Sequence, residues 1–123
     1  MSHNLVNWFE IPVKDMPRAK KFYEKVFAIE LRSMDMDDRK MAMFPMNEKV
    51  FGASGSLVLE KSYVPSHAGT LIYFSVEDID AMLKKVKENG GKILVPKQSI
   101  GEYGAVGYFE DTEGNRVAFH SMA

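Results

Sequence analysis

From Leu5 to Val13 the chain alternates: Phe9, Ile11 and Val13 share one side, Trp8, Glu10 and Pro12 the other. Period two marks a strand with one buried face. The period then changes. Ala19, Phe22, Tyr23, Val26 and Phe27 follow the i, i+3, i+4, i+7 spacing of an amphipathic helix. Asp15 suits its N-cap, and Pro17 suits its first turn, where a missing N–H costs nothing. Residues 30–35 and 40–45 read as two strands joined in a hairpin at Asp37-Asp38, and 56–60 as a fourth strand. The series then starts again. Residues 70–76 form a strand, and Asp78 caps a helix with Ile79, Met82, Leu83 and Val86 on one face. Asn89-Gly90-Gly91 stops that helix. Strands at 92–95, 105–110 and 116–121 follow, the last two joined by the turn Glu113-Gly114-Asn115.

The order β-α-β-β-β thus occurs twice. Shifting residue 13 onto residue 76 lays Val13-Lys14-Asp15-Met16 on Val76-Glu77-Asp78-Ile79, Trp8 on Leu71 and Ile11 on Phe74. Shifting residue 57 onto residue 117 lays Leu57-Val58-Leu59-Glu60 on Val117-Ala118-Phe119-His120. The chain therefore reads as one α+β domain, residues 1–123, made of module 1–63 and module 69–123 joined near Pro65. Each module is too small to bury its apolar face well alone, so the two must pack together.

Charge narrows the function classes. Sixteen Lys and Arg face seventeen Asp and Glu, a net charge of -1, which gives no drive onto nucleic acid or an anionic membrane. On the helices the two signs are interspersed, as on solvated faces. Without cysteine there is no disulfide scaffold, thiolate zinc site or cysteine nucleophile. No basic region and apolar run opens the chain, and no apolar stretch approaches the roughly 18 residues of a membrane span. The expectation is a cytoplasmic protein with no membrane or nucleic-acid partner. The glycine-bearing segment from Ser99 to Gly104 lacks the strand-then-helix setting of a phosphate cradle. It reads as a hairpin connection, with a lid carrying Tyr103 as the alternative. No serine lies in a nucleophile elbow.

Three segments carry a family resemblance: Asn7-Trp8-Phe9-Glu10-Ile11-Pro12-Val13 with Asp15, then Phe22-Tyr23-x-x-Val26-Phe27, and Phe109-x-Asp111-Thr112-Glu113-Gly114-Asn115 before the last strand. In this order, with the duplication, the chain resembles the vicinal oxygen chelate superfamily of glyoxalase I, bleomycin-resistance proteins and extradiol dioxygenases. The resemblance implies two βαβββ modules whose sheets curl into a half-open barrel around a cavity, and a homodimer. Ala28 stands where the family usually has glycine, at a cost on the order of 1 kcal/mol if that position needs positive φ.

The resemblance also implies four metal-ligand positions, at Trp8, near Val58, at Leu71 and at Ala118. None of these side chains binds a divalent metal, so no metal and no cofactor is expected at the family site. Two residues beyond each position, on the same strand face, stand Glu10, Glu60, Tyr73 and His120. They form either a polar pocket for a small molecule, a displaced metal site, or plain strand-end residues reaching water. Trp8 either stacks on a planar ligand or fills the volume left by the metal. Met41 and Met43 share a strand face and suit an adaptable apolar wall, a core or a dimer seam. His3 and His67 read as surface residues. The expected function is metal-independent binding of a small molecule by Trp8, Glu10, Met41, Met43, Glu60, Tyr73, Tyr103 and His120. The alternative is a divalent-metal lyase or isomerase of the glyoxalase type using Glu10, Glu60 and His120.

Overall fold

Asp15 and Pro17 begin the first helix. Asp15 accepts the Arg18 N–H at 3.1 Å, and α1 runs Met16–Phe27. Asp78 does the same for α2, Ile79–Glu88, by accepting the Ala81 N–H at 3.0 Å. The computed structural model describes residues 3–123. Around the helices lie β1 (Trp8–Pro12), β2 (Arg32–Met36), β3 (Arg39–Met43), β4 (Ser54–Leu59), β5 (Tyr73–Ser75), β6 (Lys92–Ser99), β7 (Ala105–Glu110) and β8 (Arg116–Ser121). They form two four-stranded sheets, ordered β1-β4-β3-β2 and β5-β8-β7-β6. In each, the first strand pairs in parallel with the last and the other pairs are antiparallel. The duplicated α+β architecture is therefore present, and the two sheets do not join into a closed barrel.

Several strand bounds differ from the pattern reading, with β1 and β5 shorter and β6 longer. Periodicity ends the sixth strand at Val95, whereas β6 continues to Ser99 through Pro96. Proline is tolerated there because β6 is an edge strand, and the pairing with β7 shifts register around Val95. Before β7, the glycine-bearing segment is a hairpin connection, as its sequence reads, and holds a single 3-10 turn, Gly101–Tyr103.

One core serves both modules. Ile11, Val13, Ala42, Phe44 and Leu57 of the first module join Phe109, Val117 and Phe119 of the second around both helices. Burying each of the Val, Ile, Leu and Phe side chains among them contributes roughly 1.5–3 kcal/mol. Aromatic rings cross the joint between the modules. Phe9 meets Phe74 edge-on at 5.6 Å, Phe27 lies 4.8 Å from Phe74, and Phe22 lies 6.1 Å from Phe109.

A polar joint lies beside the apolar one. The turn after β7 docks on the start of α1. Glu113 Oε1 accepts the N–H groups of Lys14 and Asp15, both at 2.8 Å, and Arg18 Nε donates to Oε2 at 2.7 Å. Tyr23 donates its hydroxyl to Asp111 Oδ2 at 2.7 Å, and Asn115 Nδ2 donates to the Pro12 carbonyl at 2.8 Å. Orphan donors at a helix start are thus satisfied from the other module.

Candidate functional site

Each sheet has one face against the helices and one turned away from them. On that far face the pairing registers line up rows of side chains. In the first sheet, Glu10, Ser56 and Met43 form one row, and Pro12, Val58 and Met41 the next. Trp8 lies opposite Ser54 at the end of β1. In the second sheet, Tyr73, Ala118 and Tyr108 form a row, with His120 and Val106 beside it. Met41, Ser56, Val58, Val106 and Ala118 are buried although they stand apart from the helix-packed core. The far face of each sheet therefore has a buried floor with larger polar and aromatic groups around it.

These groups are held by specific partners. Tyr63, from the linker after β4, donates its hydroxyl to Glu10 Oε1 at 2.7 Å. Arg39 lies 3.9 Å from Glu10 Oε2, with its guanidinium 5.4 Å from the Tyr63 ring centre. The bond to Glu10 raises the Tyr63 pKa, since it favours the protonated phenol. Glu60 accepts the Ser62 hydroxyl and N–H, and these bonds lower its pKa. It borders an open groove of about 460 Å³ that also touches Lys14, Lys40, Lys61 and Tyr63.

In the second sheet the Tyr73 and Tyr108 hydroxyls meet at 3.0 Å, and their mutual bond raises the Tyr73 pKa. The rings meet edge-on with centres 6.1 Å apart. His120 Nε2 lies 2.7 Å from the Tyr103 carbonyl. A carbonyl only accepts, so this nitrogen carries the proton. The Tyr103 ring itself is exposed. His67 is exposed, as its sequence reads, and also binds Glu110 at 2.8 Å.

The structure therefore brings some of the eight candidate residues together and holds others apart. Trp8, Glu10, Met41 and Met43 share the first sheet, and Tyr73 and His120 share the second with Tyr103 beside His120. Glu10, Glu60 and His120 are bound to Tyr63, Ser62 and Tyr103 respectively. Among the described residues no group of three His, Cys, Asp or Glu is placed to hold a metal ion.

Strand register sharpens one of the four family positions, read from the sequence as near Val58. Glu10 pairs with Ser56, and its counterpart Tyr73 pairs with Ala118. The counterpart of Ala118 in the first module is therefore Ser56, not Val58. Ser56 is fully buried and its hydroxyl has no partner. The set Trp8, Ser56, Leu71 and Ala118 offers no imidazole or carboxylate, so these residues do not fit a divalent cation.

Residues 5–119 match the model of the Glyoxalase/Bleomycin resistance protein/Dioxygenase superfamily. The chain belongs to this superfamily. A glyoxylase-like domain-containing protein of Didymella fabae is 32% identical to it over 94% of this chain and 92% of the relative. Among solved structures, a glyoxalase-related enzyme from Fulvimarina pelagi superposes with a TM-score of 0.72 at 15% identity, covering 94% of this chain and 86% of the other. An antibiotic-binding protein from Streptomyces sp. CB03234 superposes at 0.68 with 24% identity, covering 100% and 99%. For both structures the likeness is one of fold.

Within this glyoxalase-superfamily chain, sequence reading does not single out Arg39, Ser56, Tyr63 or Tyr108, nor Arg116, whose side chain lines a cleft between the sheets with its Nε–H buried and unpartnered. Tyr108 and Arg116 stand at period two from Val106 and Ala118, so the alternation that found His120 also points to them. Ser56 needs the pairing of strands far apart in sequence. No local pattern marks Tyr63 in the linker.

Proposed function

We propose that this chain binds a small molecule without a metal, on the faces of its sheets turned from the helices. The observation that supports this reading most is the replacement at the family metal positions. Trp8, Ser56, Leu71 and Ala118 stand there, while Glu10, Tyr73, Tyr108 and His120 surround the buried floors beside them. Rigid aromatic groups with a few placed polar atoms are what a small-molecule site requires. The antibiotic-binding protein of the same fold supports the idea that this fold can hold an organic ligand. A homodimer belongs to the reading. Phe51, Val50, Leu5 and Val6 are exposed apolar residues of the kind a second chain covers.

The test is a thermal-shift and native mass spectrometry screen of a broad compound library, run beside elemental analysis of protein purified without chelator. The reading expects ligand-induced stabilisation, a dimer mass and no stoichiometric metal. Zinc, nickel, manganese or iron at one per chain would overturn the metal-free reading.

A further inference from the structure

Between the two sheets lies a cleft of about 120 Å³, walled by Glu10 and Pro12 from β1, Ser66 and Thr70 from the linker, and Asn115 and Arg116 at the start of β8. Arg116 is its uncommitted cation. The Arg116 Nε–H is buried and has no partner. Among the described residues no Asp or Glu pairs with its guanidinium. Glu110 is its cross-strand neighbour, yet that carboxylate binds His67 at 2.8 Å and Lys92 at 3.7 Å. Asn115 spends its amide on Pro12 and Asp111. The Arg116 backbone N–H donates to the Ser66 carbonyl at 3.3 Å and anchors the linker across the cleft.

A buried donor left unmade costs on the order of 1–3 kcal/mol, and more when it is charged. An acceptor delivered by a ligand recovers that cost. A guanidinium presents a planar fork that fits a carboxylate. Glu10, also on the wall of the cleft, accepts one bond from Tyr63, has Arg39 3.9 Å from its other oxygen, and keeps lone pairs for a further donor. The cleft wall thus carries both a cation and an acceptor. At roughly 30 Å³ per water, its volume equals about four waters.

We infer that this cleft binds a small monocarboxylic acid bearing a hydroxyl or amino group next to the carboxylate. The carboxylate meets Arg116 and the neighbouring donor meets Glu10. The inference rests on the small-molecule reading above and names its ligand class. It also gives the ligand a mechanical effect, since the bound acid touches both modules and the linker.

The experiment titrates the full chain with lactate, alanine, propionate and inorganic phosphate, followed by amide chemical shifts. Lactate or alanine is expected to bind saturably, with shifts at Glu10, Ser66, Thr70 and Arg116. Which of the two binds tells whether the donor is hydroxyl or ammonium. Propionate lacks the donor and should bind about tenfold more weakly, the worth of about one hydrogen bond. Arg116→Gln should remove carboxylate binding, and Glu10→Gln should shrink the gap between lactate and propionate. Arg116→Lys keeps the charge without the fork and should weaken binding even if Arg116→Gln fails to fold. Undiminished binding by either folded Arg116 variant overturns the inference, as does phosphate binding more tightly than both lactate and alanine. If the library screen finds ligands on the far faces but no carboxylate binds the cleft, the inference falls and the broader reading stands. If nothing binds in either experiment, both fall.

Discussion

Glu113 holds four donors on one buried carboxylate: two N–H groups at the start of α1, the Arg18 guanidinium and the Thr112 hydroxyl. Burial acts to raise its pKa, but Arg18 and the backbone donors outweigh burial and hold it below the ordinary value. A carboxylate lowered by folding stabilises the fold above its unfolded pKa and loses that stabilisation as pH falls through its folded pKa. Asp111, beside it, runs the other way. Burial raises its pKa against the bonds from Asn115 and Tyr23. Its contribution is present below the unfolded value and is lost as pH rises through the folded one. The two residues therefore oppose each other in the same acid range. Glu113→Gln should cost about 1.5–3 kcal/mol at neutral pH and flatten the loss of stability on acidification. Asp111→Asn should steepen that loss. Urea unfolding followed from neutral to acid pH reads both, and an unchanged acid slope in Glu113→Gln would remove Glu113 from the account. Tyr23 is fully buried with its hydroxyl on Asp111. Tyr23→Phe should cost about 1–3 kcal/mol by leaving that acceptor short of a donor, with little change in the far-ultraviolet spectrum.

Helix α1 ends on Ala28, whose φ of 55° and ψ of 49° place it in the left-handed region. Its N–H still reaches the Glu24 carbonyl, so the cap works with the wrong residue. Ala28→Gly should raise stability by about 0.5–1 kcal/mol, the relief of strain less the added freedom of the unfolded chain. Gly55 makes the converse case in β4. A Cβ there would press on the Phe9 carbonyl and lie 2.6 Å from the Phe9 ring, so Gly55→Ala should cost about 1–3 kcal/mol or more. A melting curve of each variant gives the sign. These cases show where sequence reading works. Local period and caps reveal β1, α1, α2 and the strands that follow, because strand alternation and helix spacing are properties of neighbouring residues. The need for positive φ at Ala28 is legible by analogy with glycine at that point. The pairing of Glu10 with Ser56, and with it the counterpart of Ala118 in the first module, is a long-range register and leaves no local trace. Pro96 inside β6 misleads for the same reason, because edge status is a fact of the sheet and not of the segment. Tyr63 reaches Glu10 only because the linker folds back, and that path is written in no period.

At the scale of the whole molecule, the repeat is symmetric in its elements and asymmetric in what joins them. The second module sends Asp111, Glu113 and Asn115 onto the first strand and first helix. It also contributes Phe74 and Phe109 to rings that include Phe9, Phe22 and Phe27. Without these partners α1 would start with unsatisfied donors, and Phe22 and Phe27 would face water. A fragment of residues 1–63 should therefore lack fixed packing on its own, with narrow amide dispersion and no cooperative melt. Adding a fragment of residues 69–123 should restore both. The restored complex should weaken on acidification as Glu113 loses its charge and its hold on Lys14, Asp15 and Arg18. Arg18→Ala in the first fragment should loosen the complex, since it strips a charge-assisted bond from a buried carboxylate. Fluorescence of Trp8, the only tryptophan, reports assembly, because β1 carries Trp8 at one end and Pro12, the partner of Asn115, at the other. A first fragment that melts cooperatively alone would mean the polar joint adds nothing to the folding of α1. A complex insensitive to both pH and Arg18→Ala would place the module contact on the aromatic rings alone.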